Sequence, residues 1–192
     1  MACKALIFDL DGTIWDSYPC YGAALECVSE YKRGNTIELL RSGENVMTLA
    51  SNAKIGKGEL LKLCKSKVSE LTLFPGVLEG LQQLRARDVP LAVATNLPGW
   101  FVEPFLNHFG MEQVFAASVF NARKPSPVGL KRVMAELRVS GSNVCFVGDS
   151  ESDSQAAISA GVVFGWAAYG YSGKTPACDH VRISQFSDVL RL

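Results

Sequence analysis

The 192-residue sequence carries no excess charge of either sign: 19 lysines and arginines stand against 19 aspartates and glutamates. Without a basic excess it has neither the electrostatic footprint of a nucleic-acid binder nor a polybasic membrane anchor. It lacks any stretch approaching the roughly 20 apolar residues of a membrane span. Its N-terminus reads as leading straight into a strand rather than through a signal peptide. Six cysteines, Cys3, Cys20, Cys27, Cys64, Cys145 and Cys178, include no C-x-x-C pair and no zinc-type spacing; such residues read as small hydrophobes. A reducing, cytoplasmic setting is the expectation that follows. No internal repeat or low-complexity segment is present, and 48% hydrophobic with 20% charged residues argues against a disordered or fibrous chain. The length suits one domain with a modest insertion, not two large domains.

The most informative segment is Phe8-Asp9-Leu10-Asp11-Gly12-Thr13. The apolar run before it, Ala5-Leu6-Ile7-Phe8, is bounded by a turn signal and reads as a buried, parallel strand. The carboxyl end of such a strand is where ligands sit in an open α/β sheet. The i, i+2 spacing lets the chain aim Asp9 and Asp11 to one side, and Gly12 lets the backbone approach a bulky anion closely. One carboxylate can then attack while the other handles protons. Taken alone, the segment also reads as a strand followed by an Asp-Gly turn, with Asp11 only a turn former.

From Ser17 to about Leu73 the pattern is helical, with Tyr18, Tyr21, Leu25 and Val28 at helical spacing and Leu60, Leu61, Cys64 and Val68 likewise. Between them, Lys32 to Lys57 is polar and loosely patterned, with expected breaks at Arg33-Gly34-Asn35, Arg41-Ser42-Gly43 and Gly56-Lys57-Gly58. This block reads as an inserted helical unit. From Phe74-Pro75-Gly76 strands alternate with helices, which implies a parallel sheet with helices on its faces. Strands are expected at Pro90–Ala94, Val114–Val119, Val144–Val147 and Val162–Trp166, and Val181-Arg182-Ile183 in the tail repeats the alternation weakly. Helices are expected around Val77, Leu78, Leu81 and Leu84, over Pro98–Phe109 and Pro127–Leu137, and from Ser150 to about Ala160. Phe186 to Leu190 continues the alternation weakly.

Three strand ends deliver polar residues: Asp9 and Asp11, Thr95 and Asn96, and Asp149. In a parallel sheet these ends share one edge, and Lys124-Pro125 lies in a loop that could reach it. Carboxylate oxygens with retained water suit magnesium, with Asp9 and Asp149 as ligands. Metal, Lys124 and the Thr95 hydroxyl would together offset charge on a transferring phosphoryl group. Asp153, one helical turn after Asp149, could pair with Lys124 or simply be an exposed helix carboxylate. Thr95 could equally cap the helix that follows it.

The segments Asp9-Leu10-Asp11-Gly12-Thr13, Thr95-Asn96, Lys124-Pro125-Ser126-Pro127 and Gly148-Asp149-Ser150-Glu151-Ser152-Asp153 resemble, in order and spacing, the motifs of the haloacid dehalogenase superfamily, in its aspartate-nucleophile phosphohydrolase branch. Asp16-Ser17, Phe74-Pro75-Gly76, Phe109-Gly110 and Gly165-Trp166 add similarity to phosphoglycolate phosphatase-like members. The resemblance implies an α/β, Rossmann-like parallel-sheet core over residues 1–16 and 74–192, with residues 17–73 as a small helical cap. It implies Asp9 as nucleophile forming an aspartyl-phosphate and Asp11 as general acid and base. Thr95 and Lys124 would hold phosphoryl oxygens with Asn96 beside them. Magnesium would be held by Asp9, the Asp11 backbone carbonyl and Asp149, with Gly12 and Asp153 in support and Asp153 orienting Lys124. The expected partner is a small phosphorylated metabolite, with no nucleic acid and no membrane, acted on by a monomer or homodimer.

Other members of the superfamily set the alternatives. A dehalogenase would not need the second aspartate, so Asp11 argues against one. A phosphomutase would need a cap that excludes water and grips a hexose. A phosphonate-cleaving enzyme would need a cap lysine as Schiff base, and Lys32, Lys54 and Lys57 read as solvated. A noncatalytic binding protein would be expected to have lost Asp9, Asp11 or Lys124, and all are present. Cap cations that could read a carboxylated substrate are Lys32, Arg33, Arg41, Lys54 and Lys57. Trp15 and Tyr18 could line the cleft or pack the hinge.

Overall fold

A computed structural model describes residues 3–192. Chain order begins with β1 (Ala5–Phe8) and β2 (Trp15–Asp16), followed by helices α1 (Tyr18–Glu26), α2 (Arg33–Arg41), α3 (Val46–Asn52) and α4 (Lys57–Lys65). Then come β3 (Thr72–Leu73), α5 (Val77–Ala86), β4 (Leu91–Ala94), α6 (Gly99–His108), β5 (Ala117–Val119) and α7 (Val128–Leu137). The chain closes with β6 (Val144–Gly148), α8 (Glu151–Ala160), β7 (Val163–Ala167), β8 (Val181–Ile183) and a 3-10 helix over Phe186–Arg191. Among the described residues no helix is long and apolar enough to cross a membrane.

Six strands form one sheet in the order β5-β4-β1-β6-β7-β8, and every adjacent pair is parallel. All four residues of β1 are buried, as an unbroken apolar run must be when helices cover both faces of a sheet. Alternate residues go to opposite sides. Leu6, Phe8, Val93 and Val147 join Val77 and Leu81 of α5, Phe101 and Phe105 of α6, and Phe186. Ala5, Ile7, Ala92 and Phe146 join Leu130 and Val133 of α7 and Ala156 and Ala157 of α8. The α/β, Rossmann-like architecture is thus in place. Leu78, expected on the buried stripe of α5, is 43% exposed, because Val77, Leu81 and Leu84 already fill the sheet-facing side.

The inserted block is more regular than its sequence suggests. Arg33-Gly34-Asn35, expected as a break, is the first turn of α2. A glycine there costs about 1 kcal/mol against alanine, but Thr36 and Leu40 are buried and α2 packs on α1, so tertiary contact outweighs propensity. The breaks expected at Ser42-Gly43 and Gly56 do end α2 and begin α4. A short antiparallel ribbon that the sequence did not signal, Trp15↔Leu73 and Asp16↔Thr72, joins the two ends of the block. Phe186–Arg191, where the alternation weakens, is a 3-10 helix.

Candidate active site

Because β1 lies between β4 and β6, the residues leaving those three strands emerge side by side. Asp9, Asp11, Thr95, Asn96, Lys124 and Asp149 line one cleft of about 330 Å³, together with Ser150, Ser152, Tyr171 and Ser172. No lining residue belongs to the 17–73 block. A larger hollow of about 650 Å³ runs beside β8, lined mainly by apolar groups such as Ile158, Phe164 and Val181, and size therefore does not pick out the chemistry. Charge does: among the described residues the buried charged side chains are Asp9, Lys124, Asp149 and Asp153.

Lys124 Nζ lies 2.7 Å from Asp9 Oδ1 and 2.6 Å from Asp153 Oδ1. Asp153 is fully buried, which removes its reading as an exposed helix carboxylate. Its other oxygen accepts from Ser150 N (3.0 Å) and Ser150 Oγ (2.5 Å), within the capping box that opens α8. Gly148 makes room for it, since a Cβ there would lie 2.6 Å from Asp153 Cγ. Asn96 spends both ends of its amide on the Lys124 backbone, accepting from Lys124 N at 2.7 Å and donating to Lys124 O at 3.0 Å. Its side chain therefore sets the Lys124 backbone at the edge of the cleft that it also lines. Thr95 Oγ1 accepts from Leu97 N at 3.2 Å, so the threonine fixes the turn that follows β4 while keeping its hydroxyl proton to donate.

Asp149 Oδ2 accepts from the backbone N–H groups of Tyr171 (2.8 Å) and Ser172 (3.3 Å). This loop after β7 closes tightly over the carboxylate. Gly12, at φ +82°, would bring a Cβ to 2.7 Å from Asp149 Oδ2, and Gly170 would bring one to 2.5 Å from Asp149 Cβ. Asp11 is turned toward hydroxyls: Oδ1 accepts from Ser17 Oγ (2.5 Å) and lies 3.2 Å from Tyr171 Oη, and Oδ2 accepts from Tyr21 Oη (3.0 Å). Asp11 is more than a turn former. Tyr18 stacks on Tyr171 with ring centroids 3.9 Å apart, while Trp15 is buried against Phe105 and lies outside the cleft lining.

Tyr171 and Gly170 were not singled out in the sequence. Tyr169-Gly170-Tyr171 offers no carboxylate or lysine to attract notice, yet it follows β7 at the same sheet edge, and the strand-end rule applied to β7 would have pointed to it.

Burial pushes the Asp9 carboxyl up to about 7, against the pull of Lys124. Burial also raises Asp149 well above the ordinary carboxylate range, helped by the charges of Asp153 and Asp9, and it raises Asp11 despite the hydroxyls around it. Burial depresses the Lys124 ammonium, but Asp9 and Asp153 outweigh it and hold its pKa above the usual lysine value. One ammonium thus faces several desolvated carboxylates, a charge imbalance that a divalent cation would relieve. Oxygens of Asp9, Asp149 and Asp153 lie within 4.8 Å of one another. With Asp153 engaged by Lys124 and Ser150, Asp9 and Asp149 are the hard-oxygen donors that could hold such a cation. The Asp11 carboxylate points elsewhere, so that residue could contribute only its backbone carbonyl.

Residues 6–167 match the family described as haloacid dehalogenase-like hydrolase. The chain is 32% identical to a phosphoglycolate phosphatase of Pseudomonas syringae, over 98% of this chain and 78% of that protein. It is 31% identical to a phosphoglycolate phosphatase of Pectobacterium atrosepticum, over 100% of this chain and 92% of that one. Its fold is similar to the crystal structure of a HAD-superfamily hydrolase of subfamily IA from Geobacter sulfurreducens, with TM-score 0.74 and 24% identity over 98% and 95% of the two chains.

Proposed function

The chain belongs to the haloacid dehalogenase-like hydrolase family, and we propose that it hydrolyses a small phosphate monoester of the phosphoglycolate type through an aspartyl-phosphate, with magnesium. The observation that carries this reading is the convergence of Asp9, Asp11, Lys124 and Asp149 on one cleft at the sheet edge.

In this mechanism an Asp9 oxygen attacks phosphorus while the ester oxygen leaves with a proton from Asp11. Water then attacks the phosphorus of the acyl phosphate, gives its proton to Asp11 and regenerates the Asp9 carboxylate with release of inorganic phosphate. Lys124, fixed between Asp9 and Asp153, and the Thr95 hydroxyl hold phosphoryl oxygens as charge builds on them. Asp9 and Asp149 would hold magnesium, which would supply positive charge to offset that of the phosphoryl group.

Residues 17–73 act as a cap in this proposal and bear on which ester is accepted. Arg41, paired with Asp16 at 2.9 Å, lines a hollow that shares Tyr171 with the cleft, whereas Arg33 is held by Glu70. Arg41 is therefore the cation placed to read a short anionic tail. A cytoplasmic location completes the proposal.

The test is phosphate release from a panel of monoesters before and after chelation. Magnesium should restore activity to the chelated enzyme, and the acid-quenched protein should carry one added phosphoryl group that Asp9→Asn lacks. Full turnover after exhaustive removal of divalent metal, or equal labelling of Asp9→Asn, would overturn it.

A further inference from the structure

We propose that Tyr171 is a positioning residue for Asp11, and that with Ser17 and Tyr21 it forms a hydroxyl cradle setting the line along which Asp11 delivers its proton. The inference rests on the acid/base role proposed above for Asp11. Three hydroxyls converge on one carboxylate, two from the first turn of α1 and one from the loop after β7: Ser17 Oγ and Tyr171 Oη at Oδ1, Tyr21 Oη at Oδ2. Such convergence fixes both rotation angles of a side chain that would otherwise have several orientations open to it.

Tyr171 does more than add a third donor. Its backbone N–H holds Asp149 and its hydroxyl reaches Asp11, so one residue ties the candidate metal ligand to the candidate proton donor. The hydroxyl has a single proton, and it already accepts from Ser17 N at 2.6 Å. Ser17 Oγ stands 3.1 Å away, but a neutral hydroxyl is a weaker acceptor than a carboxylate, and two carboxylates compete for that proton, Asp11 and Asp16, each with an oxygen at 3.2 Å. Arg41 and the Tyr18 N–H both bind Asp16. They satisfy its charge and leave the Tyr171 proton to Asp11. The stack of Tyr18 on Tyr171 holds the ring in the plane that this sharing requires.

The experiment compares kcat/KM for an alkyl phosphate with a neutral alcohol leaving group against that for para-nitrophenyl phosphate, in wild type, Tyr171→Phe, Ser17→Ala and Tyr21→Phe. Nitrophenolate departs without a proton, so its kcat/KM does not require Asp11 to be aligned, whereas the alkyl ester does. The alkyl-to-aryl ratio should fall about tenfold in Tyr171→Phe, the scale of one lost hydrogen bond to a charged group, and should fall in the other two variants as well. A role confined to stability would lower both substrates together. An unchanged ratio in every variant that keeps the wild-type circular dichroism overturns the inference. A second readout needs no turnover: in a crystal structure of Tyr171→Phe the Asp11 carboxylate should leave its wild-type position or split between two, and an unmoved carboxylate overturns the inference too. A wild type inert toward both esters with magnesium present would instead overturn the phosphatase reading, and the Asp11 position would still decide the role of Tyr171.

Discussion

Asp9 and Asp11 are separated by a single residue and face different chemistry. Asp9 meets an ammonium and lies near Asp149, while Asp11 meets only hydroxyl groups. That asymmetry makes their replacement separable. With para-nitrophenyl phosphate, Asp11→Asn should give a rapid burst of nitrophenolate approaching one equivalent of enzyme and then a slow steady rate, because only the water step then needs the missing base. Asp9→Asn should give neither phase. Equal steady rates for wild type and Asp11→Asn would remove the acid/base role. The same carboxylates make metal-free stability depend on pH. A carboxyl raised on folding, as Asp9 is to about 7, binds its proton more tightly in the folded chain. Its contribution to stability is fully present below the ordinary value of about 3.9 and is lost as the pH climbs through the folded value. Asp149 acts in the same direction. The Tm of chelated protein should therefore fall between about pH 5 and about pH 7.5, and magnesium should raise it more at the upper end. A Tm that is flat or rising across that range, measured by calorimetry, would contradict this.

At the scale of elements, the cleft is a set of strand ends with helix starts behind them. The capping box of α8 shows the link: Ser150 and Asp153 close the first turn on each other, and the same Asp153 holds Lys124. Ser150→Ala should cost about 1 kcal/mol in urea unfolding, the usual value of an N-cap, and lower turnover by loosening Lys124. Gly148→Ala should cost more, since its Cβ would fall 2.6 Å from an Asp153 carbon already fixed by the ion pair; a neutral result in urea would show that the helix start can shift. The same logic explains what the sequence revealed. Asp9, Thr95 and Asp149 were legible because each follows a run of buried apolar residues and is itself polar. Asp153 was ambiguous from spacing alone, since a carboxylate in the first helical turn is normally solvated. The loop after β7 leaves no residue-type signal in the sequence because its contribution to Asp149 comes from backbone N–H groups, which any residue type can supply. Gly34 misled because a break signal in an exposed first turn is overridden when the rest of the helix is packed.

At the scale of the whole molecule, the six-stranded sheet was readable from alternating strand and helix patterns, whereas the β2–β3 ribbon, two residues on each side, is too short to leave a periodic trace. The inserted helices extend the apolar cluster on one sheet face and contribute nothing to the cleft lining. The two candidate cap arginines accordingly separate. Arg41→Ala should raise KM for a carboxylated phosphate ester several-fold while sparing para-nitrophenyl phosphate. Arg33→Ala, which breaks the pair with Glu70, should change stability and leave the order of preference across the panel intact. A panel reordered by Arg33→Ala and untouched by Arg41→Ala would invert this assignment.

The ribbon has a consequence for exchange between proteins. Trp15 and Leu73 are direct pairing partners, so the helical block leaves and rejoins the rest of the chain through a doorway one strand spacing wide, about 4.8 Å. A foreign block of any length could be spliced there without stretching the sheet, provided its ends meet at that separation. Ser17, Tyr18 and Tyr21 stand just inside the doorway and reach Asp11 or Tyr171. A graft cut immediately after Asp16 would keep the fold and lose these contacts, whereas one cut after Tyr21 would carry the host's own hydroxyls around Asp11 along with any new specificity.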